Sequence, residues 1–293
     1  MIDCTTSKDR YAVLGHPIQH SMSPSIHAAF ALQTGQRLTY EAIDVMPDQL
    51  VTRLSALPGE GFRGVNITVP HKEAAWAFTK KHGQLSQRAS LAGAVNTLAW
   101  TQTGLLGDNT DGQGLLNDLQ QRHGLSLNGQ RLLILGAGGA TRGVILPLLS
   151  THPSALVIAN RTAERANAVA QLFANAAQQF NCHIAGYGLD AFTRDIDRPA
   201  FDVVINATSA SLHGEVITLP ASTLSPGAFA YDMMYSKNLT PFLAAQKAAG
   251  IEHLADGLGM LVEQAAVAFS LWRGVTPETT PVYNALRKKL VQS

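Results

Sequence analysis

The sequence predicts an α/β protein of two units, each built on a mostly parallel sheet with helices on its faces. Three observations carry this. Short β-rich runs alternate with longer helix-like runs in two successive series, one before and one after Asn128-Gly129, and strands alternating with helices build parallel sheets. The chain has 293 residues, enough for about two domains at roughly 150 residues each. The second series opens with a buried strand, a glycine-rich turn and a helix.

In the first series, residues 11–15 (YAVLG) read as a strand, 24–34 as a helix, 39–45 as a strand, 49–57 as a helix, 64–69 (GVNITV) as a strand and 71–82 as a helix. Ser23-Pro24 reads as an N-cap followed by a first-turn proline, and Pro70 suits the first turn of the next helix. Residues 94–100 and the GLLGDN stretch form a hairpin around 101–104. A helix over 112–122 follows, with Asp111 as its N-cap.

In the second series, 131–135 is a strand, 140–149 a helix, 155–159 a strand, 163–180 a helix and 183–186 a short strand. Residues 202–206 (DVVIN) and 228–233 (AFAYDM) are further strands, 240–249 is a helix, and 250–253 leads into a last strand or loop. Two final helices, 259–273 and 277–291, bring no further strand. They either close the second unit or pack back on the first.

Composition excludes several classes. Lys plus Arg is 22, Asp plus Glu is 21, and the net charge is +1. Charged residues are 15% and hydrophobics 46%, against the ~25% charge of an average soluble chain. Disorder needs the opposite balance, and a nucleic-acid binder shows a basic excess. The longest apolar stretch near the C-terminus, residues 258–272, is interrupted by Glu263 and Gln264 and reads as a buried helix rather than a membrane span. The N-terminal MIDCTTSKDR lacks the apolar core of a signal peptide. Cys4 and Cys182 make neither a disulfide framework nor a thiolate zinc cluster. The expectation is a cytoplasmic protein acting on a small molecule, as a monomer or homodimer, with no nucleic-acid or membrane partner.

The strongest local feature is RLLILGAGGATRG, residues 131–143. Gly136 permits a tight turn, Gly138 lets backbone approach a pyrophosphate, and the helix start offers free N–H donors and a positive dipole end. The sixth position is Thr141, where the dinucleotide fingerprint has glycine or alanine. The next strand ends at Asn160, where an NAD site carries an acid for the ribose 2′-hydroxyl; Arg161 and Arg165 follow instead. Two guanidinium groups suit a 2′-phosphate, whereas as bare solvated cations they oppose the helix dipole. The pattern predicts NADP.

Hydride transfer to or from an alcohol carbon also requires a group for the hydroxyl proton. In NITVPHK, residues 66–72, Lys72 falls in a first helical turn, where a cation costs about 0.3–1 kcal/mol; a local rule broken without visible compensation flags function. Asp111, in GDNTDG between the two series, is compatible with both a cap and a carboxylate partner of Lys72. Ser21 has no capping duty and can donate to a ligand oxygen. His16 and His20 have helical metal-pair spacing, but Pro17 lies between them and no acid is near, so no metal site is expected.

Read together, GHPIQHSMSPSIH (15–27), NITVPHKEAA (66–75), AGAVNTL (92–98), LLGDNTDGQGLL (105–116), GAGGATRG (136–143), NRT (160–162), INATSAS (205–211), YDMMY (231–235) and ADGLGMLVEQAA (255–266) resemble, in order and wording, the shikimate dehydrogenase family over nearly the whole chain. The resemblance implies a catalytic Lys72 with Asp111 beside it. It implies a substrate carboxylate on Ser21 and Ser23, and further contacts to the ring hydroxyls or carboxylate from Thr68, Asn96, Asp111, Tyr235 and Gln264. It implies a pyrophosphate turn at Gly136, Ala137, Gly138, Gly139 and Ala140, an adenosine-phosphate clamp at Asn160, Arg161, Thr162 and Arg165, and Met233 and Gly257 beside the nicotinamide. The implied plan is a substrate-binding α/β domain over 1–110, rejoined by helices over 258–293, and a Rossmann-type NADP-binding domain over 111–257. His71 and Met22 depart from common family residues at variable positions. Three other readings stay open at this point. An NAD-preferring quinate/shikimate dehydrogenase is opposed by Asn160-Arg161. A catalytically silent NADPH-binding regulator is opposed by the presence of both Lys72 and Asp111. A folate-linked dehydrogenase of similar plan has substrate motifs that nothing here resembles.

Overall fold

The computed structural model describes residues 8–192, 199–208 and 216–292. The chain divides into two compact units. One holds the described residues up to Thr110 together with Val262–Val282; the other holds Asp111–Leu261 and the residues from Tyr283 on. The segment rejoining the first unit is therefore drawn as 262–282 rather than 258–293, and the last helix groups with the second unit.

The first unit runs β1 (Asp9–Gly15), α1 (Ser23–Gln33), β2 (Leu38–Asp44), α2 (Leu50–Ala56), β3 (Phe62–Ile67), α3 (Lys72–His82), β4 (Gly83–Leu85), α4 (Gln87–Ala92), β5 (Thr97–Thr101) and β6 (Gly104–Asp108). Its six strands are ordered β2-β1-β3-β5-β6-β4. β1 pairs in parallel with β2 and β3, while β5 and β6 form the antiparallel hairpin beside β3. The sequence gives no sign of β4 or α4. Gly83-Gln84-Leu85 has too little apolar pattern to read as a strand, and what selects it is tertiary: a Cβ on Gly83 would lie 2.2 Å from the Leu105 carbonyl oxygen. Leu14, Leu54, Phe62, Val65, Ile67, Phe78 and Leu98 fill one core. On the opposite side Trp272 stacks on Tyr11, donates to the Leu98 carbonyl at 3.0 Å, and passes so close to Gly64 that a Cβ there would sit 2.3 Å from the indole nitrogen.

Three local expectations are corrected. Ser23 is the first residue of α1, not its cap; Met22 holds the cap position without a side-chain bond. The capping work falls to Ser21, whose Oγ accepts from the Ser23 N–H at 3.3 Å, the local side-chain-to-backbone bond that serines make readily. Pro70 lies outside α3, beyond a cis Val69–Pro70 bond, and His71 is the cap position.

The second unit runs α5 (Asp111–Asn117), β7 (Arg131–Leu135), α6 (Gly139–Leu149), β8 (Ala155–Asn160), α7 (Ala163–Gln179), β9 (His183–Gly188), β10 (Phe201–Asn206), β11 (Leu224–Asp232), α8 (Pro241–Ala248), β12 (His253–Asp256), α9 (Leu258–Arg273) and α10 (Thr280–Gln292). The body of α9, from Val262, is the part that belongs to the first unit. The sheet, β12-β11-β10-β7-β8-β9, is parallel throughout. Its strands are nearly continuous apolar runs, as strands covered on both faces must be; Leu133, Val157, Phe201, Val204 and Phe242 form part of that core. The helix expected over 112–122 is α-helical only to Asn117 and π-helical over Asp118–Arg122. The π turn falls where Asp118, fully buried, accepts from Arg122 Nε and the Tyr231 hydroxyl, each at 2.8 Å. Asp111 is the first residue of α5 rather than a flanking cap.

Among the described residues no helix is long and apolar enough to cross a membrane, and no group of three His, Cys, Asp or Glu side chains is placed to hold a metal. Cys4 lies outside the described residues. Cys182 is buried and unpaired, and burial pushes its thiol up to about 11.

Candidate active site

In the first unit the carboxyl ends of β1 and β3 bring two loops side by side, the position at which open parallel sheets bind ligands. The His16 N–H donates to the Val69 carbonyl at 3.1 Å, and the Thr68 N–H to the Leu14 carbonyl at 2.9 Å. Gly15 makes the join possible, since a Cβ there would lie 2.4 Å from Thr68 Cγ2. Ser21 therefore stands on one loop with Ser23 at the head of the helix that follows it, and Thr68 on its neighbour with Lys72 at the head of α3. Ser21 and Thr68 are half-buried; Ser23 is 8% exposed.

Lys72 opens α3 and is half-buried. Two contacts fix its backbone. Its carbonyl accepts from the Val95 N–H at 2.9 Å, and the preceding residue, His71, is 1% exposed and donates from Nε2 to the Val45 carbonyl at 2.7 Å. The departure from the family at position 71 is thus a buried polar anchor directly before the lysine.

The start of β5 and the end of β6 add a buried polar cluster. Asn96 Oδ1 accepts from the Thr110 N–H at 2.8 Å and from the Thr97 hydroxyl at 2.9 Å. Its Nδ2 donates to Thr110 Oγ1 at 2.9 Å and Gln264 Oε1 at 3.4 Å. Asn96 and Gln264, 168 residues apart, are thereby brought together. Below them Asp108 is paired with Arg88. Burial opposes the Asp108 charge, but the Arg88 guanidinium, the Ser86 hydroxyl and the Asn109 N–H outweigh it and hold the carboxyl below its usual range.

The second unit carries the remaining candidates. Asp111 is 9% exposed at the head of α5; Lys72 belongs to the first unit and Asp111 to the second. After β7 the chain turns at Gly136, whose φ of +105 selects glycine. Ala137 is buried, and Gly138 precedes α6 without a side-chain cap. A Cβ on Gly138 would meet nothing within 4 Å, and one on Gly139 only Arg142 Nη2 at 3.8 Å. The space beside Gly138 and Gly139 at the start of α6 is thus uncrowded. Thr141, the departure from the fingerprint, is fully buried and donates from Oγ1 to the Gly136 carbonyl at 2.9 Å. It closes the turn by a hydrogen bond where the fingerprint residue closes it by small size.

Asn160 ends β8 and donates from Nδ2 to the Thr162 carbonyl at 3.0 Å. Arg161, Thr162 and Arg165 are exposed at the start of α7, and Thr162 holds its cap position with no side-chain bond. Further along, Gly257 donates its N–H to the Met234 carbonyl at 3.0 Å, and a Cβ on Gly257 would lie 2.1 Å from the Met233 carbonyl oxygen. Met233 and Gly257 are therefore one backbone contact. Tyr235 is half-buried; burial, then the Asp256 charge, push its phenol up.

Sequence reasoning misses several buried polar groups around these positions. Asp232 accepts from Asn206 Nδ2 at 3.0 Å, the Met234 N–H at 3.1 Å and Thr240 Oγ1 at 2.5 Å, with burial pushing its carboxyl up. Asn66 and Tyr40 likewise escape it. An asparagine within the apolar run GVNITV is the available signal, because a buried amide demands partners. Ser209, in the INATSAS stretch, lies outside the described residues.

Comparison with known proteins covers most of the chain. Residues 13–98 match the shikimate dehydrogenase substrate binding domain, 118–214 the shikimate / quinate 5-dehydrogenase family, and 257–287 the shikimate 5'-dehydrogenase C-terminal domain. A shikimate dehydrogenase (NADP(+)) from Dechloromonas aromatica is 50% identical over 97% of this chain and 99% of its own. The crystal structure of an Ael1 enzyme from Pseudomonas putida is 43% identical, covers 95% of this chain and 98% of its own, and superposes with a TM-score of 0.85. Shikimate 5-dehydrogenase from Thermus thermophilus, in complex with NADP(H) and shikimate, is 35% identical with a TM-score of 0.80, covering 96% of this chain and all of its own. With end-to-end likeness at half identity and family matches in both units, the chain belongs to the shikimate dehydrogenase family.

Proposed function

We propose that this protein is an NADP-dependent shikimate dehydrogenase, catalysing the reversible reduction of 3-dehydroshikimate to shikimate in aromatic amino-acid biosynthesis. The observation that carries the reading is the full-length likeness to curated NADP-dependent shikimate dehydrogenases. The residues fit the cofactor. Within Gly136–Ala140, the uncrowded space beside Gly138 and Gly139 at the start of α6 leaves room for a pyrophosphate at a helix N-terminus, and Asn160, Arg161, Thr162 and Arg165 suit an adenosine 2′-phosphate. Met233 and Gly257 form the backbone contact assigned to the nicotinamide side. Bound there, NADP supplies hydride exchange with the substrate carbon.

The protein's own residues bind, orient and move a proton. Ser21 and Ser23 hold the substrate carboxylate; Thr68, Asn96, Tyr235 and Gln264 hold hydroxyls or the carboxylate. The Lys72 amine exchanges the proton of the reacting hydroxyl, and Asp111 supports its charge. A pocket of buried Asn, Thr and Gln groups discriminates because analogues lacking a hydroxyl leave those groups unpaired. The reading goes with a cytoplasmic enzyme acting as monomer or homodimer.

Lys72→Ala tests the assignment. It should lose shikimate oxidation by a factor of about 100 or more, the scale of one acid–base group, while shikimate still binds in calorimetry. Retention of most of kcat would overturn the role of Lys72.

A further inference from the structure

Asp232 ends β11 and Asn206 ends the neighbouring β10, so both stand at the carboxyl edge of the second sheet, where open parallel sheets bind their ligands. Asp232 is fully buried. Its Oδ1 accepts from Asn206 Nδ2 at 3.0 Å and from the Met234 N–H at 3.1 Å, and its Oδ2 from the Thr240 hydroxyl at 2.5 Å. None of these donors reverses without loss. The Met234 N–H is backbone. The Asn206 amide is held by the Thr208 N–H, which donates to Asn206 Oδ1 at 3.1 Å. Thr240 Oγ1 already accepts from the Leu243 N–H at 3.3 Å. A protonated carboxyl donating to the same oxygen would leave the Thr240 proton without an acceptor, in a residue 2% exposed. The form that satisfies every partner is the ionised carboxylate, an acceptor at both oxygens.

This charge has no cation beside it. Asp108 pairs with Arg88, Asp118 with Arg122 and Asp256 with Arg287. Asp232 has neutral donors, and among the described residues no Lys, Arg or His is ion-paired with it. Its register partner on β12 is Asp256, a second carboxylate rather than a counter-charge. A buried charge without a partner is costly, and a cost without internal compensation flags function.

Its position indicates where the compensation comes from. Asp232 directly precedes Met233, whose N–H donates to the Asn206 carbonyl at 2.9 Å. The Met234 N–H is bound to Asp232, while the Met234 carbonyl accepts from the Gly257 N–H at 3.0 Å. The carboxylate is thus bonded into the backbone contact of Met233 and Gly257 assigned above to the nicotinamide side. A nicotinamide ring carries one positive charge in NADP+ and none in NADPH. We propose that Asp232 supplies a fixed negative charge to the nicotinamide side, raising the affinity for NADP+ relative to NADPH. The inference rests on the NADP-dependent shikimate dehydrogenase reading. Because the two forms share the adenosine, the ribose and every phosphate, those contacts cancel in the ratio of the affinities and the ring charge remains.

Calorimetric binding of NADP+ and of NADPH to the parent and to Asp232→Asn, without substrate, tests this. Asparagine matches the carboxylate in shape and keeps an oxygen for Asn206 and Met234, so the charge goes and only the Thr240 bond is disturbed. The ratio of the Kd for NADP+ to the Kd for NADPH should rise about tenfold, the scale of one charge–charge interaction in a part-buried site. A merely structural role would lower Tm and weaken both forms by the same factor. A ratio within twofold of the parent value, or one that falls, would overturn the inference. Asp232→Ser, which also removes the charge, decides the question by the same ratio where Asp232→Asn does not fold. The parent separates the two levels: a parent that binds neither NADP+ nor NADPH removes the functional reading and this inference with it, whereas a parent that binds both, beside a variant with an unchanged ratio, overturns the inference alone.

Discussion

Replacing Gly257 by alanine isolates the close approach of two backbone segments in the second unit. The φ of Gly257 is not in the left-handed region, so alanine adopts the local backbone without strain. The obstacle is external: the new methyl would lie 2.1 Å from the Met233 carbonyl oxygen and 2.6 Å from the carbonyl carbon, where ordinary contact begins at 3.4 Å. Both obstructing atoms are backbone, so no side-chain rotation relieves them, and the segments must separate by more than ~1 Å, as overpacked sites do. Overpacking of this kind costs about 1–3 kcal/mol of stability. The effect on chemistry should be larger, because a displacement of ~1 Å between reacting groups costs about 100-fold in rate. Steady-state kinetics with shikimate and NADP, run beside a thermal melt, read both. The expected result is a folded protein with Tm lowered by several degrees and kcat reduced by about 100-fold. Retention of kcat within threefold of the parent would refute the assignment of this contact to the nicotinamide side.

Two further outcomes follow from the charges. The Arg161→Ala, Arg165→Ala double variant should raise the KM for NADPH by tenfold or more, given ~1.5–3 kcal/mol for a hydrogen bond to a charged group, and change that for NADH little; equal losses would contradict a 2′-phosphate clamp. Asp108→Asn should destabilise the fold by about 3 kcal/mol near neutrality, since it leaves the part-buried Arg88 without its carboxylate. Because the folded Asp108 carboxyl titrates below its usual range, the contribution is complete above that range and is lost as pH falls through the folded value. Urea melts of parent and variant should therefore converge in acid; a gap that persists there would contradict the pairing.

The second unit is the more legible from sequence. Its parallel strands are continuous apolar runs, so β7 is expected and observed over the same residues, and β8 and β10 differ by one residue each. The turn after β7 is readable because a glycine at φ +105 and a helix start without side chains leave their own pattern. The first unit is harder. β4 and α4 have little propensity of their own and exist because Gly83 packs on Leu105 and Ser86 accepts from the Ala89 N–H at 3.2 Å. The serine loop misleads because Ser23-Pro24 is a strong capping signal, yet the bond goes to Ser21. Lys72 is legible as a cation set against a helix dipole. Tyr40, Asn66 and Thr97 are not, because hydrogen-bond partners on β2, β3 and β5 become neighbours only through strand order. Gln264 is placed by resemblance alone, since nothing local tells that one residue of an apolar helix meets Asn96 across 168 residues of chain.

The most direct test of the central claim is turnover of shikimate and of quinate, each with NADP and with NAD, by the purified protein. Shikimate with NADP should give much the highest kcat/KM, with loss on changing either partner. Comparable or better turnover with NAD, a preference for quinate, or no oxidation of shikimate with either cofactor would contradict it.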